Sequence, residues 1–118
     1  YIEPMADYMQ QQEQGRDLIL HNAPALILLH APAMSFFGSD NCNIAAANIV
    51  HDAHARGLGT CYIGFVTLAL RFSKEVAKHI EPPEGRRVHA ALVMGYPAYR
   101  HRNTVSRKPA DIKWLRSP

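Results

Sequence analysis

The chain has 118 residues, 47% hydrophobic and 19% charged, enough for one soluble domain with its own core. A formal charge of +3 is modest, and the basic residues gathered in the last third lack the interleaved aromatics of a nucleic-acid surface, so they point to a small anion. Apolar runs reach only about nine residues, short of a membrane span. Two cysteines without a CxxC spacing fit a reducing, cytoplasmic compartment better than a disulfide scaffold.

Residues 1–17 are polar and Gln-rich, with Ile2, Met5, Tyr8 and Met9 at helical spacing, which predicts a helix or turn ending near Gly15. The opening has neither an initiator Met nor the order of a secretory signal, so a processed chain or a piece of a longer one is expected. Residues 25–30 (ALILLH), between Pro24 and Pro32, form a continuous apolar run and predict a strand buried on both faces. Residues 41–56 predict a helix, N-capped by Asp40 or Ser39. Its Ile44, Ala45, Ala46, Ala47, Ile49, Val50 and Ala53 cover most of the circumference, the mark of a buried central helix or a subunit interface. Gly57 suits the left-handed residue that ends it. In residues 65–80 the spacing of Leu68, Phe72, Val76 and Ile80 predicts one amphipathic helix, stopped by Pro82 and Pro83. Residues 87–96 predict a second buried strand, followed by a basic, irregular tail. Two strands make a thin sheet for so apolar a core, so further strands are expected in the weaker segments, in additional chain or in a partner. The class is α+β or α/β.

Residues 57–66 (GLGTCYIGFV) allow two accounts. A helix end with a short buried connection explains Gly57 and Gly59 but not Gly64. Alternatively, Gly64 leaves the backbone bare so that a flat ligand can approach. Pattern alone favours the first, and no phosphate-loop motif is present. Of seven histidines only His51 and His54 show local spacing, too few for a zinc site, so no metal is expected. Cys61 reads as a small buried hydrophobe rather than a nucleophile, and no carboxylate pair is evident. The basic tail containing Arg102 and Arg107 divides evenly between a solvated face and phosphate capture.

Taken in order, residues 17–27, 41–49 (NCNIAAANI), 53–64 with GLGTCYIG, 91–98 (ALVMGYPA) and 106–109 (SRKP) resemble the second half of the nitroreductase family of flavin enzymes. The resemblance runs over roughly residues 17–115. It implies an α+β fold in which a mixed sheet is flanked by helices around a buried central helix, forming an intertwined homodimer. Residues 1–118 would then be the C-terminal portion of a single nitroreductase-like domain. The implied activity is an FMN-dependent oxidoreductase that draws electrons from NAD(P)H, or from a protein donor, and reduces nitro compounds, quinones or another small acceptor. The alternative is a non-catalytic flavin-binding or dimerisation module. The resemblance places Cys61, Tyr62, Ile63 and Gly64 along the flavin edge, with backbone amides near Ile63 and Gly64 facing N5 and O4. It makes Arg107, and more weakly Arg102, the phosphate contact, while no side chain is implied as catalytic acid or base. Two departures stand out: the arginine- and serine-rich opening of the family is absent, and Val105 occupies a position that is basic in some relatives. Neither nucleic acid nor membrane is an expected partner.

Overall fold

The computed structural model describes residues 10–99 and 106–115. Among them, β1 is Ala25–Pro32, α1 Gly38–Ala55, β2 Gly59–Tyr62, α2 Gly64–Phe72, α3 Lys74–Ile80 and β3 Arg86–Gly95. Residues 10–13 are helical and turn at Gly15, whose φ is +78°. The helix end expected there is present, and residues 1–9 lie outside the described part.

The three strands form one sheet in the order β1-β3-β2, with both pairings antiparallel. A mixed sheet was expected because helix α1 joins β1 to β2, as in a parallel crossover. The two strands do run in the same direction, but β3 inserts between them, and each pairs with β3 instead of with the other. The insertion accounts for the apolar run of β3. Successive residues of a strand face opposite sides, and in β3 both sides are covered. Ala90 and Leu92 face α1, where they meet Ala46 with Ile27, Leu29, Ile49 and Val50 around them. Ala91 and Val93 face α2, where they meet Ile63 and Val66 with Leu20, Leu28, Leu70 and Ile80. Leu92, at 0% exposure, is the largest fully buried side chain.

Helix α1 starts three residues earlier than the sequence predicts. Phe37 occupies the cap position without a side-chain cap bond, and Asp40 falls in the first turn, where its charge suits the positive helix end. Ser39 does not cap because its Oγ and carbonyl oxygen both accept from Asn43 Nδ2. The early start depends on Gly38: a Cβ there would stand 3.0 Å from the Ala31 Cβ and 3.1 Å from His89 Nε2. At the other end Leu58 N–H donates to Ala53 O and Gly57 N–H to His54 O, with Gly57 at φ +76°. This pair of bonds is the Schellman motif, which uses glycine as the sequence suggested. Within the chain, α1 buries one stripe, Gly38, Cys42, Ala46 and Ala53, rather than its whole girth. Ile44 on the opposite side is 62% exposed.

The single helix expected over residues 65–80 is two. Ser73 adopts an extended conformation (φ −115°, ψ 112°), its N–H closes α2 on Ala69 O, and its Oγ accepts from Val76 N–H to cap α3. A serine offers the backbone this local alternative to helix. The spacing of apolar residues survives the break, so periodicity alone does not reveal it. Helix α3 ends at Glu81 in the left-handed region (φ 48°), since Pro82 disfavours helical geometry in the residue before it.

Before β1, the Asp17 carboxylate gathers three backbone amides: Oδ1 accepts from Ile19 at 3.0 Å and Leu20 at 2.8 Å, and Oδ2 from Asn22 at 3.2 Å. These bonds hold His21 and Asn22 at φ +54° and seat Leu20 and Ala23 on the α2 side of the core. They favour the charged carboxylate, the Leu20 bond most, so Asp17 titrates below the ordinary aspartate range. A depressed folded pKa means that the stabilisation is complete above about pH 4 and is lost as the pH falls through the folded value. Asp17→Asn should therefore cost about 0.5–1 kcal/mol at neutral pH, a figure kept small because the site is solvent-screened. Urea unfolding of both proteins should show the gap closing by about pH 3. A gap independent of pH would rule out the carboxylate as its source.

Candidate functional site

The stretch after α1 is not only a loop. Gly59, expected to help end the helix, opens β2 opposite Gly95, and a four-residue strand follows along the edge of β3. Alternation then sorts its side chains. Tyr62 pairs with Leu92 and lies on the α1 side, 47% exposed, its hydroxyl donating to Asn43 O of α1 at 3.4 Å. Cys61 pairs with Val93 on the opposite side and is exposed, with Sγ 3.5 Å from Tyr62 O. The buried cysteine is Cys42 on α1.

Ile63 is committed to the fold twice. Its side chain is buried in the α2-side cluster, and its N–H donates to Ala91 O at 2.9 Å, the last rung of the sheet. Gly64, the next residue, opens α2 and is solvent-exposed. Nothing lies within 4 Å of a Cβ built on it, and its φ is not in the left-handed region. Neither packing within the chain nor backbone conformation therefore requires glycine at this position. The Gly64 and Phe65 amides, at the exposed positive end of α2, have no acceptor among the described residues. One turn on, Val66 N–H bonds to Ile63 O and the Thr67 hydroxyl to Gly64 O, fixing the turn.

The structure thus brings Cys61, Tyr62, Ile63 and Gly64 together at the junction of β2 and α2. Arg107 lies exposed in the irregular stretch 106–115, with no hydrogen bond or ion pair to a described residue. Arg102 and Val105 lie outside the described residues. Among the described residues no three His, Cys, Asp or Glu side chains converge as metal ligands, and no helix is long and apolar enough to cross a membrane. Two features were missed in the sequence. The Asp17 turn had a signal in the Asp/Asn-rich polar stretch before β1. The Ile63 rung had none, because it follows from strand pairing.

A three-strand antiparallel sheet between one long helix and a broken helical pair, with an open helix start beside the sheet edge, defines the class: a layered α+β domain. A sequence model of the nitroreductase family matches residues 2–96, and the chain belongs to that family. Among solved structures it is similar to a nitroreductase with bound FMN from Bacteroides fragilis, at 19% identity and a TM-score of 0.70, over 91% of this chain and 60% of that one. A nitroreductase with bound FMN from Desulfitobacterium hafniense gives 21% identity and a TM-score of 0.66, over 93% of this chain and 60% of that one. A putative NADH dehydrogenase/NAD(P)H nitroreductase from Bacteroides thetaiotaomicron gives 23% and 0.61, over 80% and 56%. The fold is therefore nitroreductase-like, and the chain spans about 60% of the length of the first of these structures. No curated protein matches the sequence.

Proposed function

We propose that the protein is an FMN-dependent oxidoreductase of the nitroreductase type, taking electrons from NAD(P)H and reducing a nitro compound, a quinone or a related small acceptor. Gly64 carries the proposal: it is a glycine the chain itself does not need, beside two unbonded amides at a helix start. Those features fit the edge of a flat ring that gains electron density on reduction. When bound, FMN would supply the two-electron chemistry, and the protein would supply orientation and electrostatics. Gly64 and Phe65 would offer amide donors to that edge, Tyr62 and Cys61 would border it, and Ile63, locked to Ala91, would hold the junction rigid. Arg107, and Arg102 with it, would take the phosphate. Two copies packing about α1 would bury Ile44 and the alanines of its exposed side, which supports a homodimer with a central helix. The compartment consistent with two unpaired cysteines is the cytoplasm.

The test is titration of FMN into the full-length protein. Flavin fluorescence should quench to a saturating stoichiometry and the melting temperature should rise, as mass action requires of a ligand that binds the folded state. A colourless protein on which FMN has neither effect would sink the proposal. Binding without NAD(P)H oxidation in the presence of a quinone or nitroaromatic would favour the non-catalytic flavin-binding module.

A further inference from the structure

A cleft of about 380 Å³ lies between α2 and the first rungs of β3, and its wall includes Thr67 and Arg71 of α2 and Arg86, Arg87 and His89 of β3. No acidic residue lines it. The one ion pair among the described residues, Arg56 with Asp52, belongs to α1 and the turn after it, so Arg71, Arg86 and Arg87 have no carboxylate within 4.0 Å. Their neighbours are of another kind: Arg86 Nη1 is 3.3 Å from His30 Nδ1, and the Arg71 guanidinium lies 5.6 Å from the centre of the Phe72 ring. A register shift in β3 assembles this wall. Leu29 pairs with Ala90 but His30 with Val88, so His89 is the extra residue of a bulge, and the residues before it change sides relative to regular alternation. His89 Nε2 is buried and has no hydrogen-bond partner.

Three guanidinium groups facing one concavity repel each other unless an anion joins them. A carboxylate carries one charge, whereas a phosphate carries close to two and offers several oxygens to the planar, bidentate donors that arginine presents. We infer that this cleft is a binding site for a phosphate group, with Arg71, Arg86 and Arg87 as its ligands. The inference is independent of the flavin assignment, which places the FMN phosphate at Arg107. The cleft adjoins Gly64, so a phosphorylated small molecule held there would lie beside the proposed ring edge.

Calorimetric titration of the full-length protein with orthophosphate, at constant ionic strength, tests it. Saturable binding is expected, weakened at least tenfold by Arg86→Gln or Arg87→Gln and less than twofold by Lys74→Gln and Lys78→Gln, two exposed charges of α3 outside the cleft. The arginines are exposed, and circular dichroism of each variant checks that it is folded. ADP as a second titrant separates the sources: tighter binding than orthophosphate assigns a nucleotide, and equal or weaker binding assigns free phosphate. Absence of saturable binding by both, or equal loss in the arginine and lysine variants, overturns the inference. Failure of FMN to bind the same protein would leave it intact.

Discussion

Leu92→Ala should destabilise the protein by roughly 2–5 kcal/mol, the range for deleting a buried leucine side chain where the surroundings close only in part. Leu92 has no solvent exposure and sits in the middle strand, and the α1 side of its cluster is otherwise made of alanines, Ala46 and Ala90, which are too small to fill the void. Against a total stability of roughly 5–15 kcal/mol for a domain, the loss is large enough to unfold a marginal chain. Urea melts followed by circular dichroism should show a lower midpoint at unchanged slope. A loss under about 1 kcal/mol would mean that α1 collapses onto the cavity and that the α1–sheet contact is loose.

Gly64→Val should act on a different quantity. The site is open, so the substitution should leave the melting temperature nearly unchanged, at the cost of a few tenths of a kcal/mol in helix propensity. A branched side chain there would keep a flat ligand from the Gly64 and Phe65 amides, and losing one charge-assisted bond of about 1.5–3 kcal/mol weakens binding roughly 10- to 150-fold. FMN affinity, read by fluorescence, should fall in the order Gly, Ala, Val. An unaltered affinity in the valine variant would move the flavin away from this junction while leaving the fold intact.

The contrast between these two residues shows what the sequence makes legible. Leu92 sits in an apolar run between Arg87 and Gly95, and such a run is readable as a strand buried on both faces because burial leaves its mark in composition. Gly57 is readable for a similar reason, since a left-handed helix end selects glycine. Strand β2 escaped notice because only four residues form it, two small and polar and one a glycine, and because what makes it a strand is β3, more than thirty positions downstream. The break at Ser73 escaped because the apolar spacing continues across it. The site divides in the same way. Gly64 could be marked as unexplained from the sequence, but that Ile63 spends its amide on Ala91 while Gly64 does not is a consequence of sheet register. The arginine cleft was foreshadowed only as a basic bias. Arg71 comes from a helix face that reads as ordinary solvated surface, and only the packing of α2 beside the bulged start of β3 places it near Arg86 and Arg87.

The central place of β3 also sets a timetable. Ala25 meets Met94 and Pro32 meets Arg86, so every rung between β1 and β3 waits for more than fifty further residues to leave the ribosome, and β2 waits for the same strand. At about 5–20 residues per second that is an interval of several seconds. Throughout it the ALILL run of β1 and the apolar side of α1 exist with no sheet to cover them. Stretches of this composition in an incomplete chain are what holdase chaperones bind and what aggregates when they are missing. Expression yield should therefore respond more to trigger-factor-type chaperones and to slower growth temperature than the stability of the finished protein would suggest, and a stop codon placed just before β3 should send the product to the insoluble fraction.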